Sequence, residues 1–257
     1  MKKDIILGLD IGGSGIKGAL VNVETGKLVS ERIRFVTPSP AYPENVAETV
    51  QLLVSDLGYQ GATIGCGFPA IVRQGVAKSA SNIHDTWIDT DVESLLSDMT
   101  GKQVFVLNDA DAAGVAEMHF GTMKNNKGIS ILLTLGTGIG SALFVNDSLV
   151  PNTELGHLYL KESKRIVEKS TSNHARKRDG LTYKEWVKKL NRLLSHLGHL
   201  FSPDMVVLGG GVSKKFEEYV DFFDEFDFDI KPAKLLNQAG IIGAAVYAKN
   251  CIDRQLF

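Results

Sequence analysis

Three apolar runs in this 257-residue chain stop on glycine. Residues 5–9 run into Asp10-Ile11-Gly12-Gly13-Ser14-Gly15. Residues 129–135 run into Gly136-Thr137-Gly138-Ile139-Gly140, and residues 204–208 into Gly209-Gly210-Gly211. A short apolar run bounded by turn residues reads as a buried strand. A glycine turn after any one strand is explained by the turn alone. Three of them, each at a strand end, weigh toward phosphate binding, because backbone N–H groups freed by glycine line up on phosphate oxygens.

Residues 13–18 match G-x-G-x-x-G, but a dinucleotide site needs a helix directly after the glycines. Here residues 16–23 are β-rich and Glu24-Thr25-Gly26-Lys27 supplies a turn, which argues against that reading. The Walker A pattern is absent. Residues 13–22 instead resemble residues 136–146, allowing one insertion, and each copy joins two strands. That repetition suggests a duplicated lobe.

The remaining pattern alternates strands with helices, the mark of an α/β class. Residues 28–36 read as one strand, 37–43 as a rigid proline connector, and Val46, Val50, Leu53, Val54 and Leu57 as one helical face. Residues 62–67 form a strand ending at Phe68-Pro69, and residues 103–107 another that runs into Asn108-Asp109. Thr182-x-x-Glu185 resembles a capping box, followed by an apolar stripe from Trp186 to Leu200 that reads as core. Residues 239–248 are a helix of small residues.

Composition removes several alternatives. Lys+Arg number 28 against Asp+Glu 30, so no global basic field draws nucleic acid or a membrane surface. The two cysteines, Cys66 and Cys251, make neither a disulfide framework nor a zinc knuckle. No apolar stretch approaches the ~20 residues of a membrane span, and the start shows no signal peptide. The expected location is cytoplasmic. With 44% hydrophobic residues the chain fills one large domain or two modest lobes.

These residues carry a family resemblance over nearly the whole chain. Leu9-Asp10-Ile11-Gly12-Gly13-Ser14 resembles the first phosphate loop of the actin and sugar-kinase superfamily. Residues 135–140 resemble its second, and residues 208–213 its nucleotide-side glycine motif. Asn108-Asp109-Ala110-Asp111-Ala112-Ala113-Gly114 is similar to the segment that carries the catalytic aspartate. Glu154-Leu155-Gly156-His157 matches the E-x-G-H sugar motif of the ROK family (repressors, open reading frames, kinases). That family usually places a cysteine-rich zinc motif soon afterwards. The residues after His157 contain no such cysteines, which resembles the zinc-free polyphosphate glucokinase branch. No DNA-binding segment precedes the first strand, against a repressor role.

The resemblance implies a two-lobed actin-like, ribonuclease-H-like α/β fold closing on a cleft. One lobe takes residues 1–108 with a C-terminal helix near 243–257 packing back; the other takes 109–242. It implies transfer of a phosphoryl group from inorganic polyphosphate, ATP or both to the 6-hydroxyl of glucose, and a homodimer. A hexose kinase using ATP on another sugar and a sugar-binding regulator without catalysis are the rivals; the presence of Asp109 argues against the second.

A sugar hydroxyl is a poor nucleophile at neutral pH, and Asp109 is the implied base. A helix-cap aspartate would look the same in sequence, and Asp111 is its rival, structural on the plainer reading. Gly67, Asn82, Asn108, Glu154 and His157 are the implied sugar contacts. For His157 the alternatives are a satisfied polar residue or a metal ligand; for the Gly67 loop and Asn82, a plain turn. Asp10, Gly12, Gly13, Ser14, Lys17, Thr137, Gly138, Gly210 and Gly211 are the implied phosphate contacts, with Lys17 otherwise solvated. Asp10 holds Mg2+ through water, since magnesium keeps most of its waters and bridges phosphates. No zinc is expected. His196 and His199 read as a polar flank of their helix.

Between Lys161 and Arg178 the chain is locally basic. Lys161, Lys164, Arg165, Lys169, His174, Arg176, Lys177 and Arg178 stand against Glu162 and Glu168. A solvated loop is the default for such a run. In a slightly acidic chain it also suits a long polyanion, which releases counterions as its phosphates are neutralised.

Overall fold

The computed structural model describes residues 4–80, 82–161 and 163–255. Met1-Lys2-Lys3, Glu162 of the basic run and the end of the expected C-terminal helix at 256–257 lie outside the described residues. Two units form: residues 1–120 with 238–257, and residues 121–237.

In the first unit the elements are β1 (Ile5–Gly12), β2 (Gly15–Asn22), β3 (Lys27–Leu28), β4 (Ile33–Phe35), α1 (Pro43–Asp56), β5 (Thr63–Phe68), the small hairpin β6 (Val72–Arg73) and β7 (Val76–Ala77), α2 (Val92–Thr100), β8 (Gln103–Asn108) and α3 (Asp109–Phe120). The sheet order is β3-β2-β1-β5-β8, with β4 also on β2. β1 and β2 are antiparallel and close at Gly12↔Gly15, so Gly13 and Ser14 alone make the turn. β1, β5 and β8 are parallel. The run expected as one strand over 28–36 is broken into β3 and β4. Ser30 is the cause: its hydroxyl takes the Leu20 N–H at 2.9 Å, where a strand would offer a carbonyl. α1 buries Val46, Val50, Leu53 and Val54 on the predicted face.

The second unit repeats the plan with β9 (Ile129–Leu135), β10 (Ile139–Val145), β11 (Ser148–Val150), α4 (Glu168–Thr171), α5 (Asn173–Arg178), α6 (Tyr183–Phe201), β12 (Met205–Gly209) and β13 (Asp229–Pro232). Its sheet runs β11-β10-β9-β12-β13. A glycine hairpin, β9–β10, is again followed by parallel strands. The hairpin closes at Leu135↔Ile139, leaving three loop residues against two in the first unit. The longer turn is distinct from the insertion between the two sequence copies, which falls beyond Leu20 and Leu143, in the second strand. α6 starts with the predicted capping box of Thr182 and Glu185 and buries Trp186, Val187, Leu190, Leu193, Leu194 and Leu197. Leu200, expected in the core, is exposed on the last turn.

α7 (Ala239–Gln255) returns the chain to the first unit. Its small residues set how close it packs: a Cβ at Gly8 would strike the Ile241 carbonyl, and one at Gly243 the Ala112 carbonyl of α3. This packing keeps α3 with α7, so the units divide after Phe120, where the sequence reading divided them after Asn108. Among the described residues no helix is long and apolar enough to cross a membrane.

Candidate active site

In the first unit the parallel strands bring three candidates to one end of the sheet. Asp10 of β1 pairs with Gly67 of β5, and Phe68 pairs with Asn108 of β8. Asp10 and the Asn108-Asp109 step are therefore two strand spacings apart, about 10 Å laterally. Ligands of open parallel sheets bind beyond such carboxyl ends. The Asp10 carboxylate accepts from Lys17 Nζ at 2.7 Å. It also abuts the first turn of α7, where a Cβ on Gly240 would lie 3.1 Å from Asp10 Cγ. A helix N-terminus favours a negative group there. Lys17 is thus an ion-pair partner, and its sequence alternative of simple solvation does not hold. Gly13 is required by close approach, since a Cβ would lie 2.6 Å from the Asn82 carbonyl. This contact brings the Asn82 loop to the first glycine turn. Arg34 closes the turn's other side by donating to the Ser14 carbonyl at 2.7 Å.

The Asn108-Asp109 step has a division of labour. Asn108 Oδ1 accepts from the N–H groups of Ala110 and Asp111 at 2.8 and 3.1 Å, while Nδ2 donates to the Ala70 carbonyl at 3.1 Å. The helix-cap duty considered for Asp109 is carried by Asn108, which is buried. Asp109 accepts from the Ala110 N–H at 2.9 Å and keeps partial exposure. Asp111 is 1% exposed and sealed inside the helix packing, which fits its structural reading.

The second unit gathers the other candidates. At Gly136 and Gly211 an added Cβ would meet nothing within 4 Å, and neither has a positive φ. Neither internal packing nor backbone conformation requires glycine at these two positions. Gly210 differs: φ is +82° and a Cβ would lie 2.7 Å from the Leu135 carbonyl, so the third glycine loop packs on the end of β9. Gly156 likewise packs on the Ile139 carbonyl, and Leu155 N–H donates to Ser141 Oγ at 3.0 Å. These contacts seat E-x-G-H beside the second glycine loop. His157 Nδ1 lies 3.7 Å from Glu154 Oε2. Burial pushes the Glu154 carboxyl above its ordinary range; His157 opposes the shift and Glu168 adds to it.

Glu168 is the residue that the sequence reading passed over, counting it only as relief for the basic run. Its Oε2 accepts from the Ile139 N–H at 3.2 Å, it abuts Gly138, and Lys169 pairs with its other oxygen at 2.9 Å. The one available signal was a carboxylate isolated in a basic stretch at a helix start.

The second half of the basic run folds as the short helices α4 and α5, and the run splits by role. Arg176 is structural: it donates to Asn173 Oδ1 at 3.1 Å and stacks 4.5 Å over the Tyr183 ring. Arg178 forms a forked pair with Asp179 at 2.7 and 2.9 Å. Lys161, Lys164, Arg165, Lys169 and Lys177 are exposed. Cys66 is buried, and burial raises its thiol pKa far above the ordinary range.

A family model described as the ROK family matches residues 6–167 and 151–251. The chain is 42% identical over 240 residues to the polyphosphate glucokinase of Mycobacterium tuberculosis strain H37Ra, covering 93% of this chain and 89% of that protein. It also superposes with a TM-score of 0.90 and 44% identity on the inorganic polyphosphate/ATP-glucomannokinase from Arthrobacter sp. strain KM, over 97% and 100% of the two chains. A ROK family glucokinase from Streptomyces griseus, solved with glucose and AMPPNP, shares the fold at TM-score 0.79 and 22% identity, over 96% of this chain and 99% of that one.

Proposed function

We propose, from the premise that the chain belongs to the ROK family, that it is a polyphosphate–glucose phosphotransferase. It moves the terminal phosphoryl group of inorganic polyphosphate, and of ATP as a second donor, to the 6-hydroxyl of glucose. The identity to a polyphosphate glucokinase along nearly the whole chain supports the substrate pair. Asp109 is the observation that carries the chemistry: a partly exposed carboxylate at a strand end, on a turn that Asn108 fixes by accepting from two main-chain N–H groups.

Asp109 takes the proton of the sugar hydroxyl as the phosphoryl group arrives, an effect worth roughly 10²–10⁴-fold in rate. Phosphoryl transfer otherwise needs positioning and charge stabilisation. The N–H groups of the glycine loops, with Gly12, Gly13, Thr137, Gly138, Gly210 and Gly211, hold the donor phosphates. Glu154 and His157 hold sugar hydroxyls, and Glu168, at the start of α4 against the second glycine loop, is a third polar group there. Asp10 fits Mg2+: a single hard carboxylate at the phosphate turn suits an ion whose other ligands are water and phosphate oxygens. When bound, the ion neutralises charge on the donor. Lys17 keeps the Asp10 carboxylate oriented. A homodimer is carried over from the family resemblance, and a cytoplasmic location from the two isolated cysteines, which suit a reducing compartment.

The test crosses glucose, mannose and other hexoses with long-chain polyphosphate and ATP in a turnover assay. Glucose with polyphosphate is expected to give the highest kcat/KM. No turnover with any pair would leave only the regulator reading.

A further inference from the structure

Lys188, Arg192, His196 and His199 lie three or four residues apart and share one face of α6. With Lys161 and Asp224 they line a cavity of about 420 Å³ in the second unit. None of its lining residues belongs to the glycine loops or to E-x-G-H. The volume falls in the range of small-molecule sites, roughly 300–1,000 Å³. Its fixed charges are Lys161, Lys188 and Arg192 against Asp224. In a chain of net charge −2, that is a local reversal of sign. The plain reading is the solvated face of an amphipathic helix.

Two junctions argue for more. Arg192 Nη2 donates to the Lys161 carbonyl at 3.4 Å, tying the cavity wall to the first residue of the basic run. Further along, Arg165 of the run and Lys189 of α6 both act on the Asp179 carboxyl, holding it below its ordinary range along with Arg178, its main partner. Lys161 and Arg165 of the run thus lie beside cations of α6, with the cavity at the Lys161 end.

We propose that this cavity is a second anion site, which anchors a segment of the linear polyphosphate chain apart from the segment being consumed at the glycine loops. The proposal rests on polyphosphate being the donor. Exposed cations each contribute little to binding a single phosphate. A chain held at two places gains because its second contact is intramolecular. A donor too short to hold both places gains nothing from the second, so the cavity favours long chains over ATP.

The experiment compares wild type with the double variant Lys188→Ser, Arg192→Ser, both at exposed positions. Equilibrium binding of long-chain polyphosphate is measured by calorimetry across a salt series, beside KM for long-chain polyphosphate, tripolyphosphate and ATP. The expected result is a Kd and KM for the long chain raised about fivefold to tenfold. The slope of log Kd against log salt should fall by about 1.4. Values for tripolyphosphate and ATP should be unchanged, which also shows that the variant is folded. The conservative pair Lys188→Arg, Arg192→Lys should retain long-chain binding. An unchanged long-chain Kd in the serine variant overturns the cavity, and polyphosphate turnover by the wild type then leaves the donor reading intact. Absence of polyphosphate turnover in the wild type sinks the donor reading instead, while the Kd comparison still decides the cavity.

Discussion

Asn108 accepts two main-chain N–H groups through one amide oxygen and donates to Ala70 through its nitrogen. Its removal acts first on the helix. We expect Asn108→Ala to destabilise the protein by about 1 kcal/mol or more, as loss of an N-cap does, read as a lower thermal midpoint. An unchanged midpoint with a raised sugar KM would restore Asn108 to a direct sugar contact. Glu154 makes a prediction in pH. Its folded pKa is raised above the unfolded value, chiefly by burial. Its stabilising contribution is therefore fully present below the ordinary carboxylate pKa, near 4.3, and is lost as pH rises through the folded value. Binding runs the other way, because the ionised carboxylate accepts from sugar hydroxyls through both oxygens and more strongly than the neutral acid. Glucose affinity should fall as pH drops through the raised Glu154 value, and Glu154→Gln should flatten that limb in a calorimetric pH series. The same limb in wild type and variant would assign it to another group. E-x-G-H was legible as a motif, but its geometric reason was not: Gly156 is glycine because the Ile139 carbonyl lies against it. Glu168 was illegible because its meaning comes from the Ile139 N–H, a residue distant in sequence.

At the scale of elements, the strands that end on glycine were readable because apolar runs and turn residues are local signals. The capping box of α6 was readable for the same reason. The break between β3 and β4 was not, since it depends on a Ser30 hydroxyl reaching Leu20 on the neighbouring strand. The basic run shows the same limit. Charge counting gave Arg176 and Lys164 equal standing, yet one packs on Tyr183 and the other is exposed. Replacing Lys164, Arg165 and Lys177 with serine should raise the KM for long-chain polyphosphate several-fold and reduce its salt dependence, with ATP little affected. Arg176→Ser should instead lower stability, with both donors losing activity together. Steady-state kinetics beside thermal unfolding separates the two, and a selective polyphosphate effect from Arg176→Ser would reverse this sorting.

At the scale of the molecule, the duplication inferred from two glycine stretches corresponds to a repeated plan, a glycine hairpin followed by parallel strands in each unit. Where the chain divides was harder to read, because α3 is held by small-residue packing against α7, more than a hundred residues later. The lack of a cysteine-rich motif soon after His157 predicts a protein without structural zinc, and elemental analysis giving stoichiometric zinc would contradict it. The central claim is that polyphosphate itself donates to glucose with Asp109 as base. The most direct test follows phosphorus NMR of glucose and long-chain polyphosphate with Mg2+ in nucleotide-free solution. Wild type should build a glucose 6-phosphate signal as the chain's terminal signal changes. Asp109→Asn should bind glucose but lose roughly 10²–10⁴-fold of the rate. Glucose 6-phosphate appearing only after ATP is added, or formed at wild-type rate by Asp109→Asn, would contradict the account.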